Sequence, residues 1–366
     1  SSPTLRDCVF MNNYADINNG GGKGGGMYNS NSSPAVTNCT FTSNSASTST
    51  NGNGGGMFNL DSSPTLTNCT FTDNTAPYGG GLRNKYSDTE LIDCTFTDNT
   101  ADVTGGGMYN GSSSPTLQNC IFENNTSETG GGIKNFNGDP TLTNCEFTGN
   151  SSAEGGGMYN GQSDPTLENC TFTGNTSTYS GGGMYNTGSS NAVLTSCEFD
   201  GNSSTAGGAM QNKNNGGGMG KTQIMNCTFV ANIAESGGAV DNIDSNPTIE
   251  ECSFENNNAQ GDGGGIRNSG TSLPSIGSTA FCGNFHQDGE VGGHIYGSYE
   301  DLGGNEFQDH CPCLGDINVD GIVNVIDLIA IINYWGLTNS PADINFDGIV
   351  NVSDLIILID NWGPCE

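Results

Sequence analysis

Basic side chains are scarce in this sequence: 8 Lys and Arg stand against 39 Asp and Glu over 366 residues, for a formal net charge of -31. Phosphate backbones are neutralised by clustered Lys and Arg, so the composition argues against direct nucleic-acid binding. It also opposes anionic lipid and favours solubility and attraction of divalent cations. No apolar run reaches the about 20 residues of a membrane helix. Ser1 begins inside a repeat with no leader pattern, so a secreted form would already have lost its signal peptide. Apolar residues make up only 32%, a level that fits disorder. Their regular placement argues for a folded chain instead.

What is abundant is glycine, 58 residues, about twice the usual share, together with Asn, Ser and Thr in a repeat. The unit "GGGMYNGSSSPTLQNCIFENNTS" (105–127) recurs as "GGGMYNSNSSPAVTNCTFTSNSA", "GGGMFNLDSSPTLTNCTFTDNTA" and "GGGMYNGQSDPTLENCTFTGNTS". The apolar residue after the glycines falls at Met27, Met57, Leu82, Met108, Ile133, Met158, Met184, Met210, Val240, Ile266 and Ile295, in steps of 25, 26 or about 30. A Cys recurs in phase at Cys8, Cys39, Cys69, Cys94, Cys120, Cys145, Cys170, Cys197, Cys227 and Cys252.

Triple glycine and a recurrent Pro exclude helical repeats of this period. A coil of three short strands per turn fits: "MYN", "PTL" and "CTF", separated by Gly, Ser and Asn corners. Stacked at about 4.8 Å, about eleven turns make a rod about 50 Å long. Alternation predicts that Met108, Leu117, Cys120 and Phe122 point inward. One rung cannot bury enough to be stable, so stacking closes the core. Corner asparagines such as Asn119 and Asn125 are expected to form amide ladders, Gly supplies positive-φ corners, and the insertions "NNGGGKGGG" and "STSTNGNGGG" are expected to bulge outward. This part, to about residue 300, resembles right-handed parallel β-helices of the pectate-lyase kind and the glycine-rich repeats of polymorphic outer-membrane proteins.

The resemblance implies an architecture; activity needs its own residues. A polysaccharide lyase needs a base beside calcium-holding carboxylates, and a hydrolase needs paired Asp. The basic residues here, Arg6, Lys23, Arg83, Lys85, Lys134, Lys213, Lys221 and Arg267, are scattered among rungs. Arg83, Lys134 and Arg267 share one position in their rungs and are read as solvent-facing. Asp61, Asp139 and Asp164 recur without converging; Asp139 and Asp164, in adjacent rungs, could share a cation. Recurrent Tyr28, Tyr109, Tyr159 and Tyr185 are either a packing ladder or a sugar-binding row. His286, His294 and His310, with Cys282, Cys311 and Cys313, match no compact zinc motif and are read as a cap. No catalytic residue is assigned, a non-enzyme is favoured, and a polysaccharide lyase is the runner-up.

The ten ladder cysteines are expected to be buried free thiols, since in-register neighbours have an awkward torsion for bridging. Cys282, Cys311, Cys313 and Cys365 lie off the ladder. Pairs Cys313–Cys365 and Cys282–Cys311 would clasp the terminal module and tie it to the last coil, implying an oxidising setting.

After residue 310 the composition changes. "GDINVDGIVNVIDLIAIINYWG" and "ADINFDGIVNVSDLIILIDNWG" are near copies. Each carries D-x-N-x-D-G-x-V-N-x-x-D: Asp316, Asn318, Asp320, Gly321, Asn324, Asp327 and Asp343, Asn345, Asp347, Gly348, Asn351, Asp354. That is the ligand spacing of a twelve-residue calcium loop, with carbonyls of Ile322 and Ile349 at position 7 and Asp instead of Glu at position 12. Hard oxygen donors select Ca²⁺, one ion per loop. Each loop precedes a helix but follows none. The helices' apolar residues, with Trp335 and Trp362, are expected to pack the copies together about a pseudo-twofold axis.

Residues 315–363 resemble a type I dockerin. The resemblance implies calcium-dependent folding and docking to a cohesin on another protein, often in polysaccharide-degrading assemblies. Its recognition positions, loop positions 10 and 11, typically hold Ser or Thr; here stand Val325 and Ile326, and Val352 and Ser353, which suggests a more hydrophobic contact.

The expectation is an all-β parallel β-helix (1–310) with a small α-helical, duplicated F-hand calcium domain (311–366). The function expected is a secreted structural or adhesive solenoid assembled through the module. Its partner would be a cohesin-like protein or another copy, joined end to end if the N-terminal edge is uncapped; extracellular polysaccharide is a further candidate.

Overall fold

The computed structural model describes residues 2–16, 22–47, 52–214, 221–286, 293–308, 315–318, 322–338, 340, 342–344 and 349–364. Up to Gln308 the chain is a parallel β-solenoid whose strands fall into two 12-stranded and two 11-stranded sheets. Each coil therefore has four strands where the sequence predicted three. In the rung from Met108 they are Met108–Gly111, Thr116–Gln118, Ile121–Glu123 and Thr126–Thr129. They are called here the methionine, leucine, phenylalanine and small-residue sheets, after what they turn inward.

The extra strand escaped prediction because its inward side chains are small, Ala101, Ser127, Ser152 and Ser177, so no large apolar residue marks it. Its sign lies in the corners. Gly105, Ser112, Asn119 and Asn124 all have positive φ (67°, 49°, 52° and 54°), one after each strand. Asn, Asp and Gly tolerate that conformation best, and four such corners per rung require four strands.

Register runs unbroken through the methionine and phenylalanine sheets, whereas the small-residue sheet shifts at bulges, as between Ala101 and Thr104. Phe71 faces Phe96, Phe96 faces Phe122, and Leu91 faces Leu117. Met108, Leu117, Cys120 and Phe122 are all buried. The phenylalanines stack from Phe10 to Phe307 with ring centroids 4.5 to 5.1 Å apart. Each stacked pair adds about 0.5–1.5 kcal/mol beyond its buried area.

Two amide ladders run inside the rod. Asn125 Nδ2 donates to Asn150 Oδ1 (3.0 Å) and to Phe96 O (2.9 Å), while its backbone N donates to Asn150 Oδ1 (3.0 Å). The same pattern links Asn44 through Asn284. The second ladder, unforeseen, uses the Asn of "MYN": Asn84 to Asn110 to Asn135 to Asn160, each at 2.9 Å. Asn119 belongs to a third, exposed ladder and donates to Asp93 Oδ1 at 2.9 Å. Close approach explains the third glycine of each triplet: a Cβ on Gly107 would lie 2.7 Å from Gly132 O and 2.9 Å from Phe122 Cδ1.

His294 takes that third-glycine place at the end of the rod. It is buried, its Nδ1 lies 3.2 Å from Asn284 Nδ2, and its ring is tilted over Phe281 and Phe307. It thereby ends the buried asparagine ladder, as a cap does. His310 lies outside the described residues, as do 17–21 and 48–51 of the two insertions; in their described parts Lys23 pairs in parallel with Asn53, and Asn53 with Tyr78. The ten ladder cysteines are free thiols. Cys282 is disulfide-bonded; Cys311, Cys313 and Cys365 lie outside the described residues.

The last described segment forms two helices, α1 (Val325–Tyr334) and α2 (Val352–Asp360). Among the described residues no helix is long and apolar enough to cross a membrane.

Candidate functional site

Each terminal helix is started by its own loop. Asn324 and Asn351 are N-caps whose side chains accept from Ile326 N and Ser353 N, both at 2.8 Å. Asp327 and Asp354, at the third helical position, complete capping boxes by accepting from Asn324 N (2.9 Å) and Asn351 N (2.8 Å). Their other oxygens reach back to the loop start: Asp327 Oδ1 accepts from Ile317 N (2.8 Å) and Asn318 N (3.2 Å), and Asp354 Oδ1 from Ile344 N (2.7 Å). One carboxylate at the twelfth loop position thus ties the second and ninth positions together. The carbonyls of Ile322 and Ile349 accept from Asn324 Nδ2 and Asn351 Nδ2 at 2.9 Å.

The copies interlock through the residue after that carbonyl. Val323 pairs with Gly363 beyond α2, and Val350 exchanges bonds with Gly336 (2.8 Å) and Leu337 (3.0 Å) beyond α1. Val323, Ile331, Val350 and Leu358, with Ala342 and Ile344, form the core, and Ile317, Leu328 and Leu355 pack against it. The equivalences are spaced by one repeat, as a pseudo-twofold requires. The tryptophans do not join this core. Trp335 and Trp362 are 49% and 51% exposed, a correction to the sequence-based expectation. They follow the last helical turn, where the inward positions have already been filled by Ile331 and Leu358.

Asp316, Asp327, Asp343 and Asp354 are all buried, yet no Lys or Arg follows Arg267 in the sequence. Buried carboxylates need a counter-charge, and this module has none of its own. A divalent cation held by oxygen donors fits that need. Among the described residues no cluster of three or more His, Cys, Asp or Glu suited to a metal is formed; of the expected ligands, Asp320, Asn345 and Asp347 lie outside them.

The same helices leave apolar side chains in solvent. Val325, Ile326, Ile329 and Ile332 on α1, and Val352, Ile356 and Ile359 on α2, are each more than half exposed or nearly so. Two related stripes result.

Among the described residues of the solenoid, the acids and bases singled out from the sequence do not converge on one another. Asp139 and Asp164, considered as sharing a cation, instead serve the backbone: Asp164 N donates to Asp139 Oδ1 (2.8 Å) and Asn191 N to Asp164 Oδ1 (2.7 Å). The expectation that Arg83, Lys134 and Arg267 simply face solvent needs correction. Arg83 lies over the rings of Phe58, Tyr78 and Tyr109 at 5.6, 4.7 and 5.0 Å, and burial lowers its pKa. Lys134 Nζ lies 4.2 Å from the Tyr159 centroid and 3.0 Å from Thr129 Oγ1. Arg267 is paired with Asp241 at 2.9 Å. Burial pushes the Asp241 carboxyl up, against hydrogen bonding from Gln211 and the charge of Arg267. Outward aromatics at register positions beside these cations were the available sequence signal.

Comparison with known families follows this division of the chain. Residues 129–285 match the family described as right handed beta helix region, and residues 314–362 match the dockerin type I domain. The chain is therefore a parallel β-helix protein with a C-terminal dockerin domain. Type I dockerin domains bind calcium and typically dock to cohesins, whereas β-helix regions occur in enzymes and non-enzymes alike. No curated protein gives a significant match to the chain.

Proposed function

We propose that the chain is an extracellular structural or adhesive rod, attached to a larger assembly through its calcium-loaded dockerin module. In this reading Asp316, Asn318, Asp320, Asn324 and Asp327, with the Ile322 carbonyl, hold one Ca²⁺. Asp343, Asn345, Asp347, Asn351 and Asp354, with the Ile349 carbonyl, hold a second. The ions bring positive charge to a stretch where no Lys or Arg follows Arg267, and so fix α1 and α2 in their paired positions. Solenoid residues 1–310 and module residues 311–366 then act as rod and attachment.

The single observation that carries the reading is the pair of exposed apolar stripes on helices whose starts depend on those loops. Ile329 and Ile356 occupy equivalent places in them. Val325 and Ile326 stand where Ser or Thr would favour a polar contact, so the facing surface, on a cohesin-like domain or on another copy, is apolar. A rod of uniform rungs, with amide and aromatic ladders in place of convergent acids and bases, supports a structural role over a lyase.

Light scattering of the full chain, alone and mixed with a cohesin domain, tests this in millimolar calcium and after chelation. The expected result is a calcium-dependent rise in mass that chelator reverses. A chain that binds calcium yet remains monomeric under every one of these conditions contradicts the proposal.

A further inference from the structure

One buried column of side chains has no part in docking. Ten cysteines, from Cys8 through Cys94, Cys120 and Cys145 to Cys252, follow one another rung by rung, all as free thiols. From Cys39 to Cys252 none is more than 4% exposed. Each stands just before a strand of the phenylalanine sheet, as Cys120 does before Ile121–Glu123. The rings of that sheet repeat at 4.5 to 5.1 Å, so the sulphurs in register beside them repeat at about 4.8 Å.

Packing alone does not ask for sulphur at this place. The neighbouring inward columns vary: Val36, Leu66 and Ile224 share one, and Leu82, Met108 and Val240 another. The cysteine column runs through ten rungs without a change. Where it ends, the fully buried Thr279 takes the position. Its Oγ1 accepts from Cys252 N at 3.4 Å, much as Cys227 Sγ accepts from Cys197 N at 3.3 Å. A hydroxyl therefore fits where the thiols stand.

The thiol protons are also dispensable. Cys120, Cys145 and Cys170 donate weakly to Gln118 O, Thr143 O and Glu168 O, each at 3.4 Å. The same carbonyls accept from the backbone N of Asp93, Asn119 and Asn144 at 3.0 Å. Loss of a thiol proton strands no buried acceptor there.

The column is a line and not a cage. Among the described residues no three or more His, Cys, Asp or Glu gather for a metal, so a tetrahedral Zn²⁺ has no place in it. Between two sulphurs about 4.8 Å apart, an ion at the midpoint has a ligand on either side at about 2.4 Å. Thiolate sulphur selects soft ions such as Cu(I), which accept two ligands in line.

We propose that the cysteine column is a linear site for soft monovalent cations, Cu(I) or Ag(I), each ion bridging the sulphurs of two successive rungs. One thiol of the pair gives its proton to solvent and binds as thiolate, while its neighbour binds through a sulphur lone pair. Two sulphur–metal bonds form and one S–H bond breaks. The core gains one positive charge as it loses another, so it stays neutral. Ten thiols taken in pairs hold five ions. Burial makes loading slow, because rungs must part to admit an ion. The site is independent of the docking module.

Silver nitrate is the probe, since Ag(I) needs no reductant. The full chain is loaded over hours in chloride-free, thiol-free buffer with millimolar calcium, desalted, and its silver counted by elemental mass spectrometry. Two variants with equal numbers of thiols separate bridging from binding to single sulphurs. C39A/C94A/C145A/C197A/C252A removes alternate rungs and leaves no neighbouring pair. C145A/C170A/C197A/C227A/C252A leaves Cys8 to Cys120 contiguous. The alternate variant should keep only the silver held outside the column, the contiguous variant two ions more, and the parent five more. Circular dichroism and melting curves establish that each variant is folded. If either is not, X-ray absorption of the loaded parent decides alone, with two sulphur neighbours per silver expected at about 2.4 Å. Equal loading of the two folded variants, a parent that takes up no more silver than the alternate variant, or a first shell dominated by oxygen or by more than two sulphurs would each overturn the proposal.

Discussion

At the scale of single residues, the rod is held by repetition of a few contacts. Asn150 shows how much rests on one amide: its Oδ1 accepts from the backbone N and Nδ2 of Asn125, and its Nδ2 donates to Phe122 O. Asn150→Ala strands these buried groups, at about 1–3 kcal/mol each when no water reaches them. A loss on the order of 3 kcal/mol is expected in chemical denaturation, against about 1 kcal/mol or less for the exposed ladder residue Asn144→Gly, a change that its corner φ of 52° tolerates. The thiol ladder adds a pH dependence. Cys94 and Cys120 are pushed up from 9.0 to about 12, first by the hydrogen bond to the next rung's thiol and further by burial, against the pull of the preceding one. Folded pKa values above the unfolded ones mean that stability is full below about pH 9 and is lost as pH rises toward 12. Denaturation midpoints measured across that window should fall, and Cys94→Ala with Cys120→Ala should flatten the decline. The inward Met, Leu, Cys and Phe were legible in the sequence because alternation in a strand shows directly as spacing. The Asn84–Asn110 ladder was not, because "MYN" reads equally as a polar strand end. Nor was the setting of Arg83, whose shielding rings come from different rungs and a different sheet.

Among elements, the contrast is between strands specified by their neighbours and helices specified by their loops. The small-residue strand, such as Thr126–Thr129, was hidden because Ser127 leaves no apolar mark; its evidence was the positive-φ corner at Asn124. The two helices were legible in the sequence, since capping is local: Asn324 and Asn351 start them as N-caps. The interlock was not: Val323 pairs with Gly363 across the module, and local pattern could not show that the tryptophans stay outside. Their exposure, with that of Ile329 and Ile356, marks the face that the proposed docking would use. The double variant Ile329→Glu, Ile356→Glu should therefore abolish calcium-dependent association in light scattering. Its circular dichroism and calcium affinity should stay within twofold of the parent's. A fall in calcium affinity together with helix loss would instead place these residues in the core.

For the whole molecule, the account divides stability between a solenoid that closes its own core from Val36 to Phe281 and a module with a small separate core around Val323, Ile331, Val350 and Leu358. The first contains its own hydrogen-bonded ladders, closed between protein groups. The second buries Asp316, Asp327, Asp343 and Asp354 in a stretch without a basic residue, so under the proposed function calcium brings positive charge there and the module's fold is expected to depend on it. Hydrogen–deuterium exchange of the full chain, with millimolar calcium and then with excess chelator, tests that division most directly. Chelation should remove protection from Val325–Tyr334 and Val352–Asp360 while the strands from Thr65 to Ser269 exchange as slowly as before. Helices that keep full protection in chelator would contradict the claim that calcium holds the docking module together.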